Sequence, residues 1–351
     1  MSAQLMIYGA NGYTGALIAR AAVHAGLKPL LAGRSRETLE PLARELGLHK
    51  RVFPLLGAKS IAASLDDVGA VLNCAGPFSA TCAPLLEACL AKRVHYLDIT
   101  GEIDVFAHCH AQHERAQAAG IVVAPGVGFD VVPTDCLAAM LKARLPRADE
   151  LVLAFDGGGG MSPGTAKTSV EGLRKGGRAR IHGRVVEVPL AWKVRSFGSG
   201  VNARTAVTIP WGDVYTAFVS TGIASIETYM AMPPRAIAQI RRMRWLRPLL
   251  RFGVLEAWMK KRIETRVRGP DEAKRAATTT HVWGEVRSAD GSEARLELLT
   301  PNGYTLTVDA ALAIARRVLG QPPAGGYYTP SRLMGAEFVL SLPGVRLIEP
   351  A

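Results

Sequence analysis

Three glycines spaced three residues apart, in the stretch LMIYGANGYTG (5–15), are the first residues of this chain whose pattern suggests chemistry. An apolar run precedes them, and a segment with helical spacing of its apolar residues follows. A strand, a glycine turn and a helix in this order point several backbone N–H groups and a helix dipole at one place. That order favours a dinucleotide-phosphate site over a plain tight turn. The predicted binding residues are Gly9, Ala10, Asn11, Gly12, Tyr13, Thr14 and Gly15.

The residues after the second predicted strand indicate which dinucleotide binds. An NAD site has an acidic residue at that place, about 20 residues after the glycines. This chain has Arg34, Ser35 and Arg36 there, and its first acid is Glu37. Arg34 can form paired hydrogen bonds with a 2′-phosphate, and Ser35 can donate to it. The alternative is that both arginines are solvated loop charges; the pattern favours NADP(H).

Strand-like and helical segments alternate over residues 1–125, and the connections between them are short. Five or six such β-α units predict an α/β fold with a parallel, doubly wound sheet of the Rossmann type. Within them, residues 52–56 are predicted as a strand and 105–120 as one helix. After residue 125, residues 281–286 and 294–300 predict an antiparallel hairpin around Asp290-Gly291. The predicted parts are a Rossmann domain (1–125), an α+β substrate and dimerisation domain (126–315) and a segment returning to the first domain (316–351).

The composition is that of a globular enzyme of two domains, with 351 residues, 48% of them hydrophobic and 21% charged. The formal charge of +12 favours anionic partners without choosing among them. Five cysteines with no C-x-x-C pair favour reduced thiols. Neither a secretion signal nor a run of 18 apolar residues is present, so the predicted location is the cytoplasm.

Several motifs give the chain a resemblance to a known family. GANGYTG, AGRS, NCAGPF (73–78), YLDITGE (96–102), GVGFDVVPTD (126–135) and SPGTAKTSVEG (162–172) occur in the order seen in saccharopine dehydrogenase-like oxidoreductases. Within that group the chain resembles the proteins related to trans-acting enoyl reductases, and its segment YYTPSRLMG is similar to the closing motif of that group. The resemblance implies an NADP-binding Rossmann domain on which the last helix packs. That family often has Cys-Gly-Phe-Asp where this chain has Val127 before Gly128, so no role of that cysteine is carried over.

Ligands of such sheets bind beyond the carboxyl ends of the strands, and three loops of this chain have that position. They span residues 73–78, 98–102 and 126–130. We expect cofactor contacts from Asn73, Ala75, Gly76, Pro77 and Gly101, and substrate contacts from Asp98, Glu102, Gly128 and Phe129. Asp130 and Tyr96 are the candidates for catalytic proton handling. For both Asp98 and Asp130, capping of a following helix is the competing interpretation.

Two further segments could bind ligands. The loop Gly157–Gly160 with Ser162 and Thr165 could close over a substrate, and its alternative is a mobile connector. Its interrupted Gly-Lys-Thr pattern argues against an ATPase. His110 and His113 share a helical face and could hold zinc, but an ordinary amphipathic helix is the favoured interpretation and no metal is predicted.

A strongly basic segment occupies residues 235–268, where eleven Arg or Lys accompany two Glu and interleaved Trp and Leu residues. Such a helix is typical of a membrane-surface segment. The alternative is a helix that buries its apolar side in the core or in a dimer contact. Nucleic acid is not a predicted partner, because no recognised module accompanies the charge.

The leading interpretation is an NADP(H)-dependent oxidoreductase that transfers hydride to a carbonyl, imine or enoyl group. Its predicted partners are a small-molecule substrate, with an acyl or lipid-like compound as one candidate, a second copy of the chain, and an anionic membrane contacted through 235–268. The alternative is a non-catalytic NADP(H)-sensing Rossmann protein that docks on membranes or partners. No Tyr-x-x-x-Lys pair is present, which excludes the mechanism of the short-chain dehydrogenases.

Overall fold

The structure is a computed structural model that describes residues 4–156, 159–198, 203–250, 261–263 and 266–348. The chain forms two compact units. The first comprises Met1–Val132 and Tyr304–Met334, and the second comprises Pro133–Gly303 and Gly335–Ala351. These divisions follow Val132 and Gly303, whereas the sequence places boundaries after residues 125 and 315. Which part binds substrate stays a prediction.

The first unit contains a seven-stranded sheet in the order β15-β6-β5-β4-β1-β2-β3, and every neighbouring pair is parallel. The predicted doubly wound parallel sheet is therefore confirmed. Strands are numbered along the chain, and this sheet consists of β1 Gln4–Tyr8, β2 Leu30–Gly33, β3 Lys50–Val52, β4 Val68–Asn73, β5 His95–Asp98, β6 Val122–Ala124 and β15 Gly326–Tyr327.

Helices connect these strands, and the central strands read as continuous apolar runs because the sheet is covered on both faces. Met6, Ile7, Val71 and Leu72, for example, have no exposed surface. The helices are α1 Tyr13–His24, α2 Arg36–Leu46, α3 Ala58–Ala63, α4 Phe78–Lys92, α5 Ile103–Ala111, α6 His113–Ala119, then α12 Gly303–Gly320 and α13 Pro330–Met334.

Two local predictions differ from the structure. The third strand ends at Val52 and does not extend to residue 56, because Pro54 has no N–H to donate to a strand ladder. The predicted helix over 105–120 is two helices that meet at Gln112. The second begins with His113, whose Nδ1 accepts the Tyr327 N–H at 3.0 Å and so joins the helix to the edge strand β15.

The second unit contains a sheet in the order β10-β11-β12-β7-β13-β14-β16, with β8 and β9 added at β12. Among the strands that the structure describes in this sheet, only β7 and β12 pair in parallel. The predicted hairpin of β13 with β14 is confirmed. These strands are β7 Glu150–Asp156, β8 Gly177–Ile181, β9 Arg184–Val188, β10 Val194–Phe197, β11 Arg204–Thr208, β12 Ser225–Ala231, β13 Thr279–Arg287, β14 Glu293–Pro301 and β16 Arg346–Ile348.

Helices cover one face of this second sheet. Gly284 of β13 lies so close to α7 that a Cβ there would come within 2.6 Å of Leu141 and 2.9 Å of Leu137. The helices of the unit are α7 Val132–Arg144, α8 Pro163–Lys175, α9 Asp213–Thr221, α10 Pro234–Leu250 and α11 Glu272–Ala277. A search of the described residues finds no helix with the length and hydropathy of a bilayer span.

Candidate cofactor and active site

The glycine turn between β1 and α1 is shaped by close approaches that only glycine permits. Gly9 has φ +79°, and a Cβ there would lie 2.8 Å from the backbone N of Ala75. A Cβ on Gly15 would lie 2.4 Å from the Gly9 carbonyl oxygen, so α1 could not pack this close to the turn with any other residue. Gly12 precedes α1 as its N-cap residue. These are the separate roles that a dinucleotide turn requires of its glycines.

The N-terminal end of α1 is suited to an anion. Its first turn contains no acidic residue, so the backbone N–H groups and the helix dipole there are not offset by a side-chain charge. The turn is fixed by hydrogen bonds from Gly9 N and Ala10 N to the Ala32 carbonyl, at 2.8 and 3.2 Å. Asn11 lies beside the end of β2, its Oδ1 3.1 Å from the position of a Cβ on Gly33.

The end of β2 places the three candidate phosphate-binding residues at the start of α2. Ser35 is the N-cap residue of that helix, and its side chain makes no capping hydrogen bond. Arg34 is exposed and makes no hydrogen bond or ion pair with any described residue. Arg36, in contrast, lies 4.0 Å from Glu40 one helical turn later. Of the two arginines, Arg34 is therefore the one without a partner among the described residues.

The loop after β4 is held by the buried side chain of Asn73. Its Oδ1 accepts the Ala75 N–H at 3.0 Å, and its Nδ2 donates to Thr81 Oγ1 at 3.1 Å. The Thr81 hydroxyl in turn donates to the Ala75 carbonyl at 2.6 Å. Gly76 and Pro77 follow in this fixed loop, and Ala75 is the residue that contacts the glycine turn. The structure therefore brings the 73–77 loop and the glycine turn together.

Asp98 is a fully buried carboxylate at the end of β5, and its oxygens bind the loops of its own sheet. Oδ1 accepts the N–H groups of Thr100 and Gly126, each at 3.0 Å, and Oδ2 accepts the Tyr96 hydroxyl at 2.9 Å. Burial raises the pKa of Asp98 to about 6, although the two backbone donors oppose that rise. Through these hydrogen bonds, Asp98 joins the loops that follow β5 and β6.

Tyr96 is fully buried beneath the same loops. Besides its bond to Asp98, its hydroxyl accepts a hydrogen bond from Asn73 Nδ2 at 3.3 Å. Burial and the neighbouring Asp98 carboxylate hold the pKa of Tyr96 well above its usual range. A group in this position can relay or hold a proton, but its hydroxyl has no exposed surface through which a substrate would reach it.

Glu102 binds the N-terminal end of α4 with both carboxylate oxygens. Oε1 accepts the Phe78 N–H at 2.8 Å, and Oε2 accepts the Ser79 N–H at 3.0 Å. A carboxylate at this end of a helix also interacts favourably with the helix dipole. Because α4 begins directly after Pro77, Glu102 fixes the end of the 73–77 loop.

Asp130 lies half-buried beside the β5 loop. A Cβ on Gly101 would meet its Oδ2 at 2.9 Å, so the absence of a side chain at Gly101 makes room for this carboxyl group. Burial raises the pKa of Asp130 to about 7. A carboxyl group that is half protonated near neutral pH is suited to donate and accept protons.

The first turns of α12 hold two of these loops, and sequence analysis missed them. Thr307 Oγ1 accepts the Phe129 N–H at 2.9 Å, and a Cβ on Gly128 would lie 2.9 Å from the Thr307 methyl group. Tyr304 packs edge-on against Tyr13, with ring centroids 4.9 Å apart. No sequence signal could have found these contacts, because they join residues 178 and more positions apart.

The remaining candidate residues lie elsewhere or have structural partners. Ser162 and Thr165 belong to the second unit, where Ser162 caps α8 by accepting the Thr165 N–H at 3.2 Å. Residues 157 and 158 of the predicted loop lie outside the described residues.

The two candidate zinc ligands both contact the edge strand β15. The His110 ring stacks on Tyr327, with centroids 4.7 Å apart, and His113 Nδ1 accepts the Tyr327 N–H.

A different group of side chains has the donor types of a metal site. Cys82, Asp98 and Cys109 are buried and place one donor atom each within 4.8 Å of the others. The two sulfur atoms are 3.4 Å apart, and burial raises the pKa of the Cys109 thiol. The Asp98 oxygens already accept three hydrogen bonds, which leaves about one of the four lone-pair sites of this carboxylate for an ion.

Comparison with known proteins places these features in a family context. Residues 5–124 match the family model of the saccharopine dehydrogenase NADP binding domain. A saccharopine dehydrogenase-like oxidoreductase of Rattus norvegicus is 32% identical over 38% of this chain and 35% of its own. A trans-acting enoyl reductase of Mycobacterium leprae is 31% identical over 40% of this chain and 36% of its own. The matched part thus spans little more than a third of these relatives.

The fold has a counterpart among solved structures. Saccharopine dehydrogenase (L-Glu forming) from Saccharomyces cerevisiae superposes with a TM-score of 0.63 over 99% of this chain and 100% of that chain, at 10% identity. At this identity the likeness concerns the fold alone. The resemblance and the fold class expected from the sequence are both confirmed, and so is the class of cofactor, a nicotinamide dinucleotide.

Proposed function

We propose that this protein is an NADP(H)-dependent oxidoreductase that transfers hydride to a carbonyl, imine or enoyl group of a small molecule. The matched NADP-binding family model and the relatives named as oxidoreductases support the reaction class. The preference for NADP(H) over NAD(H) rests on this chain's own residues. An acyl or lipid-like substrate is the candidate suggested by the enoyl reductase relatives.

The observation that carries the proposal is the pairing of the glycine turn with Arg34. The turn has no room for side chains at Gly9 and Gly15, which leaves the backbone N–H groups at the start of α1 open to a pyrophosphate. Arg34 follows β2, where an NAD site has an acid, and is exposed without a partner among the described residues. Its guanidinium can bind a 2′-phosphate with two parallel hydrogen bonds.

When bound, the cofactor supplies a hydride from its nicotinamide ring. The chain's own residues hold the loop around Gly76 and Pro77 through Asn73 and Glu102, and this fixes the surface beside the glycine turn. Asp130 is the proposed proton donor to the reduced substrate, since its pKa of about 7 keeps part of it protonated at neutral pH. Tyr96 is the second candidate and would act through its hydrogen bond to Asp98.

We expect the wild type to bind NADPH more tightly than NADH. Arg34→Ala should weaken NADPH binding by about ten- to a hundredfold, since a hydrogen bond to a charged group contributes about 1.5–3 kcal/mol. NADH binding should hardly change, because NADH has no phosphate at this place. Titration of both cofactors by fluorescence measures these affinities, and Arg34→Asp should weaken NADPH binding further by repulsion.

Arg44→Ala is the matched control, because Arg44 is an exposed cation in the last turn of the same helix. Equal wild-type affinity for NADH and NADPH would contradict the role of Arg34. Binding of neither cofactor would contradict the whole proposal. Oxidation of bound NADPH by a substrate separates an enzyme from the alternative, a protein that only senses the cofactor.

A further inference from the structure

Tyr8 ends strand β1 and directly precedes the glycine turn. Its side chain is 3% exposed, and its ring packs on that of Phe53 with centroids 5.1 Å apart. Two buried rings at this distance attract each other in addition to the area that they bury. A phenylalanine at position 8 would make the same ring contact, so this contact does not account for the hydroxyl group.

The Tyr8 hydroxyl group donates a hydrogen bond to the Phe53 carbonyl oxygen at 3.1 Å. Phe53 follows β3, and β2 lies between β1 and β3 in the sheet. The bond therefore joins the two neighbours of β2 across its carboxyl end. A buried carbonyl group needs a donor, and here that donor comes from a side chain 45 positions earlier in the chain.

The Phe53 peptide also binds β2 itself. Its N–H donates to the Gly33 carbonyl oxygen at 3.0 Å. Gly33 is the last residue of β2 and directly precedes Arg34. Pro54 follows Phe53 and has no N–H, so position 54 donates no further bond to β2. Through the Phe53 peptide, the Tyr8 hydroxyl group therefore holds the residue that precedes Arg34.

The glycine turn holds the end of β2 from the other side. The Ala32 carbonyl oxygen accepts the N–H groups of Gly9 and Ala10 at 2.8 and 3.2 Å. The last two residues of β2 are thus bound by the turn on one side and by Phe53 on the other. All of these hydrogen bonds together, called the β2-end frame below, connect the candidate pyrophosphate site at the start of α1 to the backbone that carries Arg34.

Arg34 depends on the β2-end frame for its position. It is exposed and has no hydrogen bond or ion pair with another described residue. An exposed arginine loses side-chain entropy when it binds a ligand, and a backbone that is already fixed adds no further cost. The Arg34 charge also acts on Tyr8, since burial raises the pKa of Tyr8 and Arg34 opposes that rise. The two side chains therefore interact electrostatically.

We propose that Tyr8 is a positioning residue for cofactor selection, because its hydroxyl group holds the backbone from which Arg34 reaches the 2′-phosphate of NADP(H). The inference rests on the proposed function, in which Arg34 binds that phosphate. Tyr8 is not itself a phosphate ligand, because its only hydroxyl hydrogen is donated to Phe53. NADH has no phosphate at this place, so its binding should not depend on the Tyr8 hydroxyl group.

Tyr8→Phe in the full chain tests the inference, because it keeps the ring and removes the hydrogen bond. We expect the NADPH Kd to rise about three- to tenfold, as for the loss of one hydrogen bond between uncharged groups. The NADH Kd should hardly change. Fluorescence titration of the same preparation with both cofactors gives the ratio of the two Kd values. A residue that only stabilised the fold would leave that ratio unchanged, and NADH binding shows that the variant has folded.

A double-mutant cycle shows whether Tyr8 acts through Arg34. In the Arg34→Ala background, Tyr8→Phe should weaken NADPH binding little further, because the side chain that Tyr8 positions is then absent. If the two residues contributed independently, the separate fold-changes would multiply, and that result would overturn the inference.

Tyr328→Phe is the matched control, since it also removes a phenol hydroxyl group that donates to a backbone carbonyl, that of Ala324 at 2.8 Å. Tyr328 follows β15, which lies four strands from β1, and both affinities should stay at their wild-type values. A wild type without preference for NADPH would refute the proposed function and this inference with it. A wild type that prefers NADPH, combined with an unchanged Kd ratio in Tyr8→Phe, would refute the role of Tyr8 alone.

Discussion

At the scale of single residues, the buried carboxylates of the first unit hold loops as well as being candidates for chemistry. Asp98 accepts three hydrogen bonds and Glu102 accepts two backbone N–H groups, all within the first unit. Their proposed contacts with substrate stay predictions, as does the catalytic role of Asp130. Asp130 is half-buried, and burial raises its pKa to about 7, compared with about 6 for Asp98.

Asp130→Asn should change how stability depends on pH. A carboxyl group with a pKa near 3.9 in the unfolded chain and about 7 in the folded protein favours folding while protonated. That contribution is fully present below about pH 4 and is lost as the pH rises through about 7. Asp98 has the same sign, so the difference between wild type and variant isolates Asp130.

Thermal unfolding measured from acidic to alkaline pH tests this prediction. The wild-type and Asn curves should run parallel at acid pH, and the wild type should lose stability relative to the variant on the way to neutral pH. Glu272→Gln on α11 serves as an exposed neutralisation control. A constant difference at every pH would show that Asp130 does not titrate in this range.

Glu102→Gln should destabilise the protein by about 1–3 kcal/mol. One of the two N–H groups at the start of α4 would then face an amide N–H₂ in place of a carboxylate oxygen, and the charge at the helix N-terminus would be lost. Denaturant unfolding measures the loss. Glu114→Gln, in the first turn of α6 and exposed, should change stability by much less, and an equal change in both variants would refute the capping role.

At the scale of elements, helix α12 organises the candidate site although it lies far along the chain. Tyr304 contacts the glycine turn through Tyr13, and Thr307 binds the loop of Phe129. Neither a motif nor a charge pattern in the sequence indicated that this helix belongs to the candidate cofactor site. Its contacts mean that the GANGYTG and GVGFD loops are positioned by one helical segment.

Thr307→Val should loosen the 126–130 loop, because valine keeps the shape of threonine but has no oxygen to accept the Phe129 N–H. We expect a loss of about 1 kcal/mol and faster amide exchange in this loop. Thr307→Ser keeps the acceptor and should retain most of the protection. Identical exchange in the two variants would mean that the hydrogen bond does not hold the loop.

At the scale of the whole molecule, the formal charge of +12 is unevenly distributed along the chain. Part of the basic segment 235–268 packs within the second unit: Ile237 is buried against Val207 and Ala191, and Arg241 and Arg244 donate to backbone carbonyls at 190 and 191. The described residues of this part fit the core alternative. Residues 251–260, with Trp258, lie outside the described residues, so membrane contact through the segment stays a prediction.

If the segment docks on anionic lipid, the protein should co-sediment with acidic vesicles and be released by salt, since surface attraction is screened within about 10 Å at moderate ionic strength. Sedimentation with acidic and with neutral vesicles measures the effect. The doubly neutralised variant Lys261→Ala with Arg262→Ala removes two exposed cations of the segment and should weaken binding. Indifference to vesicle charge would leave only the packing alternative.

The sequence by itself determined the first sheet, the glycine turn, the hairpin and the class of cofactor. Each of these depends on residues close together in the chain, such as an apolar run before three glycines and an Asp-Gly turn between two strands. Local sterics and the strand or helix period are sufficient to specify such features. The resemblance in family likewise followed from short motifs.

Only the tertiary structure decided what the polar residues of the site contact. The pairing of Glu102 with α4, of Asp98 with the β6 loop and of Thr307 with Phe129 joins positions between 24 and 178 residues apart. The two faces of the second sheet also depend on register, since a shift by one residue would exchange them. Burial and long-range hydrogen bonds set the pKa of Asp98, and these arise only when the chain has folded around it.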